Sequence, residues 1–222
     1  MATKIFTPSM LKGAGTRGVP EIPVGSSFTN TYSMAFDGVD DYIDCGNISD
    51  LNGVTTATWS GWFKRTGASN YYLMSTWGAT GGLKQFAPYQ TGVEMSVYMA
   101  NSGAAQQLMF QNTSLTFTTG TWYHLAFVYN EAEASNADKM KFYINSVVQT
   151  NNVAGAALTT LNSSTANFEI GKLGGYLTNG FNGKIDEVSI FDSVVDVATL
   201  YNSGIPGDLT SLSPIYWNRM GD

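Results

Sequence analysis

The chain has 222 residues, of which 43% are hydrophobic, 13% aromatic and only 13% charged, with a formal charge of -6. A pI near 4.6 opposes general attraction to nucleic acid or to anionic membrane surfaces, both of which select clustered Lys and Arg. No apolar run approaches the roughly 18 residues of a membrane span, Pro8 and Ser9 break the stretch where an export signal needs continuity, and the lone Cys45 cannot close an internal bridge.

Residues 1–31 contain Pro8, Pro20 and Pro23 and no sustained periodicity, which predicts an extended arm. Lys4, Lys12 and Arg17 against Glu21 give it a charge of +2, so residues 32–222 carry -8; a basic arm beside an acidic body can lie along its own or a neighbouring subunit, or remain a solvated tail. From Tyr32 the pattern changes to period two. Tyr32 to Phe36, an Asp37-Gly38 turn and Tyr42 to Cys45 read as a hairpin. In Ala57 to Lys64 the alternation turns Trp59 and Phe63 inward and leaves Trp62 on the opposite face. Further strands are expected at 71–77, 93–99, 107–111, 122–129, 140–144, 168–171 and 185–191, about ten to thirteen in all. One short helix is expected over Val197 to Asn202, with Asp196 as N-cap and Gly204 ending it, serving as a connector. The composition and this strand density predict an all-β sandwich whose core needs neither disulfides nor metal. The chain divides into the arm (1–31), the sandwich (32–204) and a C-terminal tail (205–222).

Four segments in order resemble laminin-G-like and pentraxin-like modules: Ser33-Met-Ala-Phe-Asp-Gly-Val-Asp-Asp-Tyr-Ile43, Trp122-Tyr-His-Leu-Ala-Phe-Val128, Met140-Lys-Phe-Tyr-Ile-Asn145 and Phe181-Asn-Gly-Lys-Ile-Asp-Glu-Val-Ser-Ile-Phe191, closed by Tyr201-Asn-Ser-Gly204. The resemblance implies a two-sheet antiparallel sandwich, the concanavalin A-like jelly roll. Ser146 departs from it, since the family has Gly after Asn at a position that reaches positive φ, so a longer turn is expected there.

The resemblance also implies a calcium site at the Asp37 carboxylate, the Gly38 carbonyl and Asp186, oxygen ligands suited to a hard ion. Against it stands the plainer reading that Asp37, Asp40, Asp41 and Asp44 cap turns and solvate a hairpin. No cofactor is required by the sequence. His124, the single histidine, lacks a second histidine and a nearby nucleophile and is expected to satisfy a backbone carbonyl at a sheet margin; Cys45 is expected as a small core residue. Glycosidases of this fold need carboxylates on one strand face, about 5 Å apart for retaining chemistry. Asp186 and Glu187 are adjacent and so are expected on opposite faces, with Lys184 where a third acid would stand, which argues against an enzyme. Tyr71, Tyr72, Trp77, Phe86, Tyr89, Tyr98 and Tyr176 suit a sugar-stacking platform, a subunit interface or ordinary core, with core the first expectation.

These features lead to two expectations of function. One is a non-catalytic virion structural protein of a bacteriophage, a capsid decoration, head-fibre or tail component. It would be located in the virion and bound to protein subunits, whether copies of itself or capsid and tail proteins. The other is an extracellular carbohydrate-binding adhesin or lectin module whose partner is a cell-surface glycan.

Overall fold

The computed structural model describes residues 5–6, 28–67, 70–79, 81–100, 105–176 and 178–222. The expectations placed on the rest of the 1–31 arm lie outside the described residues. Fifteen strands are described: β1 (Ile5–Phe6), β2 (Met34–Asp37), β3 (Tyr42–Asp44), β4 (Thr56–Arg65), β5 (Tyr71–Tyr72), β6 (Met74–Thr76), β7 (Phe86–Thr91), β8 (Glu94–Ala100), β9 (Gln106–Asn112), β10 (Tyr123–Asn130), β11 (Met140–Ile144), β12 (Val147–Val148), β13 (Phe168–Ile170), β14 (Asn182–Phe191) and β15 (Tyr216–Asn218). They form an eight-stranded sheet in the order β1-β3-β13-β6-β7-β8-β9, with β5 also on β7, and a seven-stranded sheet in the order β12-β11-β10-β4-β14-β15, with β2 also on β14. All pairings are antiparallel except β1 with β3. The expected all-β sandwich is the observed architecture, and no described helix is long and apolar enough to cross a membrane.

The sheets close on a dry layer of aromatic rings. On β4 the inward residues Ala57, Trp59 and Phe63 are buried as the alternation predicts. Trp59 stacks on Phe86 of the opposite sheet with ring centres 3.9 Å apart and planes 6° from parallel. Phe86 meets Phe127 edge-on at 5.6 Å, and Phe127 stacks on Phe142 at 4.8 Å. Each fully buried ring of this size contributes about 2 to 3 kcal/mol by leaving water, and offset or edge contacts add to that.

Two local expectations change in the structure. Met34–Asp37 and Tyr42–Asp44 are not a hairpin: β2 pairs with β14 in one sheet and β3 with β13 in the other, so the Asp37-Gly38 turn carries the chain between layers. Its backbone is held by the Asp37 carboxylate, which accepts from the Val39 and Asp40 amides. The β11–β12 connection is a two-residue turn and no longer, because Asn145 (φ 49°) and Ser146 (φ 66°) both adopt the left-handed region. With Ile144 opposite Val147, this is the mirror-image turn whose twist suits a hairpin. Within the tail, residues 205–222, β15 pairs with β14, and Leu209 and Met220 are buried.

The helix α1 (Val197–Tyr201) forms as expected, the Asp196 carboxylate accepting from the Ala198 and Thr199 amides, although left-handed Asn202 ends it before Gly204 is reached. It is more than a connector. Val197 packs on Ala126 and Val128, and Leu200 on Phe191, so α1 covers the outer side of the seven-stranded sheet.

Backbone approach between β14 and β4 is close at Gly183, with φ 153°, where an added Cβ would stand 2.1 Å from the Lys64 carbonyl oxygen. Gly183→Ala is therefore expected to destabilise the fold by about 2 to 4 kcal/mol, read as a lower urea midpoint at unchanged slope. A variant as stable as the parent would show that the strand pair can part without cost.

Candidate functional site: two clefts on the outward faces of the sandwich

The alternation that turns Tyr71 into the core turns Tyr72 out, and the same rule turns Phe86 in and Ala87 and Tyr89 out. Tyr71 is fixed inward by a short hydrogen bond from its hydroxyl to the Gln90 side chain. Register places Tyr72 opposite Tyr89 and Ala87 opposite Tyr98, so a small residue lies among three phenols. Trp77 follows β6, and the loop after β13 reaches it because Gly174 lies so close to the Trp77 carbonyl oxygen that a Cβ would sit 2.0 Å away. The Gly174 amide donates to Ser75 Oγ at 2.9 Å and that hydroxyl donates to the Lys172 carbonyl, which fixes the loop and sets Leu173 and Tyr176 at the rim.

The result is an open cleft of about 280 Å³ lined by Tyr72, Trp77, Ala87, Tyr89, Tyr98 and Tyr176 with Lys84, Gln106 and Leu173. Tyr72 and Tyr89 have ring centres 4.6 Å apart, and the Lys84 ammonium lies 5.3 Å from the Trp77 ring centre. Burial, followed by the neighbouring phenols Tyr89, Tyr98 and Tyr176, pushes the Tyr72 hydroxyl up to about 12, so it stays a neutral donor and acceptor. Flat apolar ring faces beside neutral hydroxyls, an amide and one cation can bind a ring-shaped polyol: the faces take its C–H surface and the polar groups its hydroxyls.

Of the seven aromatics singled out in sequence, five converge here and two, Tyr71 and Phe86, belong to the core. Lys84, Ala87, Gln106 and Leu173 carried no signal on their own. The period-two rule applied across Tyr71-Tyr72 and Phe86 to Tyr89 separates wall from core and could have found Ala87.

A second cleft, of about 240 Å³, opens on the outer face of the other sheet between Asn30, Thr31, Tyr32, Ser33, Trp62, Trp122, Asp186, Gly204 and Pro206. Here the expected alternation fails. Between Asp186 and Ser189 the β14–β4 register shifts, and Glu187 takes φ 49°, so two residues on β14 face one on β4. This bulge places Asp186 and Glu187 on the same side. Asn30 Nδ2 donates to Asp186 Oδ2 at 3.1 Å and to Glu187 Oε1 at 2.8 Å. The opposite-faces argument against an enzyme is thus overturned at this position. Glu187 is occupied further by Trp217 Nε1 and by Arg219 at 3.4 Å. Burial pushes Asp186 up to about 7 and also raises Glu187, opposed in Glu187 by the hydrogen bonds from Asn30 and Trp217.

The residues proposed for calcium are not brought together. Asp37 pairs with Asn182 in the β2–β14 register and Met34 with Ile185, which sets Asp37 and Asp186 four residues apart along β14, roughly 13 Å at strand rise. Asp37 gathers instead with Asp40 and Asp41, whose carboxylates lie within 4.8 Å of one another. Gly38 adopts φ 79° with its α-carbon against Asn182, and Asp41 accepts from the Asp37 amide.

His124 lies inside the sheet on β10, not at its margin, and its partner is a side chain: Ser60 Oγ stands 2.7 Å from Nε2. That serine was invisible in sequence because it comes from across the strand pair. Trp62 and Tyr201 cover the pair at 5.2 and 5.9 Å, and Nδ1 has no partner among the described residues. A nucleophile-base pair needs an orienting group and access; this one is sealed. Cys45 is half-buried, with the Tyr216 hydroxyl 3.0 Å from its sulfur and burial raising the thiol to about 12, as a structural residue should be.

Residues 37–200 match the concanavalin A-like lectin/glucanases superfamily. The chain belongs to that superfamily. No curated protein sequence matches it. Among solved structures it is similar to a protein described as carbohydrate binding from Bacteroides ovatus, at 16% identity and a TM-score of 0.61, covering 84% of this chain and 50% of that one. It thus spans half the length of that protein. It is similar also to domain 4 of AbnA, an extracellular arabinanase of Geobacillus stearothermophilus solved with arabinotriose (17% identity, TM-score 0.55, 78% and 76% covered). A third is the CBM40 of the Ruminococcus gnavus IT-sialidase bound to α2,3 sialyllactose (13% identity, TM-score 0.52, 78% and 96% covered). At these identities the likeness is one of fold.

His124 is 1% exposed, and burial lowers its pKa to about 4. The unfolded chain takes up a proton near 6.5 while the folded chain resists it until about 4, so stability is lost as pH falls through that window. Relative to His124→Gln, the parent is expected to lose about 3 kcal/mol between pH 7 and pH 4, measured by urea unfolding at each pH. A constant difference would show that the ring reaches solvent.

Proposed function

We propose that the protein is a non-catalytic, lectin-like carbohydrate-binding module that holds glycans in the aromatic cleft of the eight-stranded sheet. The observation that carries this is the convergence of Tyr72, Trp77, Tyr89, Tyr98 and Tyr176 around one open cavity, with only Tyr176 among them as much as 41% exposed. Rings held at that depth are preorganised, so little rotamer entropy is lost when a sugar stacks on them. No carboxylate lines this cleft among the described residues, and hydrolysis of a glycosidic bond calls for two. The proteins of similar fold described as carbohydrate binding or solved with arabinotriose or sialyllactose agree with this reading. Incorporation into a virion was an expectation from sequence in which the arm was one of several features, and nothing in the described residues favours it over glycan binding.

A glycan array followed by calorimetry is the test. Retention of at least one oligosaccharide class is expected, with Tyr89→Ala weakening it about five- to tenfold while the melting temperature stays within a few degrees, since one stacked ring is worth about 1 kcal/mol. An empty array, or full affinity in Tyr89→Ala, overturns the proposal, and release of shortened products from the bound glycan overturns its non-catalytic part.

A further inference from the structure

The second cleft holds a buried carboxyl group that has no ion pair among the described residues. Asp186 is only 4% exposed, and its hydrogen-bond donors are neutral: Asn30 Nδ2 on Oδ2 and the Glu187 amide on Oδ1. The nearby guanidinium of Arg219 is paired with Glu187 and donates to the Thr29 carbonyl. Its planar group lies 4.4 Å from the Phe28 ring centre and 5.5 Å from that of Trp217. A third carboxylate, Asp222, accepts from the Thr31 and Tyr32 amides at 2.7 and 3.0 Å. Of these three carboxylates only Glu187 is ion-paired among the described residues, and the one that lines the cleft, Asp186, has no cationic partner among them. A buried carboxylate of this kind is stabilised by a cation brought to it.

The walls favour the same ligand. Trp62 and Trp122 line the cleft with Asp186, and indole faces attract cations; the Lys64 ammonium already stands 5.1 Å from the Trp122 ring centre. Of the remaining lining, Gly204 and Pro206 offer no polar side chain, while Asn30, Thr31, Tyr32 and Ser33 bring hydroxyl and amide groups, which an alkylammonium chain would leave unused and a polyol would engage. The volume of about 240 Å³ suits one sugar ring. We propose that this cleft binds an amino sugar, its protonated amine pairing with the Asp186 carboxylate and its ring lying against Trp62 and Trp122.

Calorimetric titration of the full chain at neutral pH with methyl β-D-glucosaminide, its N-acetyl counterpart, methyl β-D-glucoside and Nα-acetyl-lysine methylamide tests this. The glucosaminide is expected to bind about tenfold or more tightly than each of the other three, since a charge-assisted contact to a desolvated carboxylate is lost in the neutral sugars. Asp186→Asn, which keeps the side-chain volume, is expected to abolish the preference, and Trp122→Ala to weaken glucosaminide binding about fivefold. Equal binding of the amine and its acetylated form, an unchanged preference in Asp186→Asn, or lysine amide binding as tightly as the sugar overturns the proposal. The titrations are repeated in Tyr89→Ala, which removes a wall of the other cleft: a glucosaminide preference that persists there and is lost in Asp186→Asn belongs to this cleft, and a preference lost in Tyr89→Ala overturns the proposal, so the two clefts are read separately.

Discussion

The fold depends on the contact between Trp59 and Phe86, two fully buried rings stacked at 3.9 Å across the gap between the sheets. β4 is central in one sheet and β7 in the other, so this stack ties the two layers at their middles. Phe127 and Phe142 extend it sideways. With the interior filled by aromatic volume, the outward residues of β5, β7 and β8 are not needed to join the two sheets. Their arrangement on a rigid floor is what makes surface clefts with fixed walls.

Both clefts follow from the same period-two geometry, one by obeying it and one by breaking it. On β5, β7 and β8 strict alternation delivers Tyr72, Tyr89 and Tyr98 to one surface. On β14 the bulge at Glu187 adds a residue, so Asp186 and Glu187 meet over Asn30. Positive φ in a glutamate is costly, and the carboxylate's contacts with Asn30, Trp217 and Arg219 are the interactions that offset it.

Much of the sandwich was legible because its signals are local. Trp59 and Phe63 read as inward, Asp196 reads as a cap, and the ordered motifs between Ser33 and Gly204 point to the superfamily. What was not legible depended on neighbours distant in the chain. β2 and β3 look like a hairpin because the turn between them is short, and only their partners β14 and β13 show that they belong to different sheets. Ser60 beside His124 comes from another strand, and the bulge at Glu187 has no residue signature, since glycine rather than glutamate usually marks one. The aromatic cleft lay between these cases: its residues were recognisable by type, but their convergence required the register of β5, β7 and β8.

The carboxylate of Asp222 holds the amides of Thr31 and Tyr32, and Arg219 reaches the Thr29 carbonyl, so residues 29–32 and 219–222 are joined in one polar clasp. Tension applied between residues 28 and 222 would therefore load this small polar clasp, together with β2 and β15 along β14, before it reached the aromatic interior.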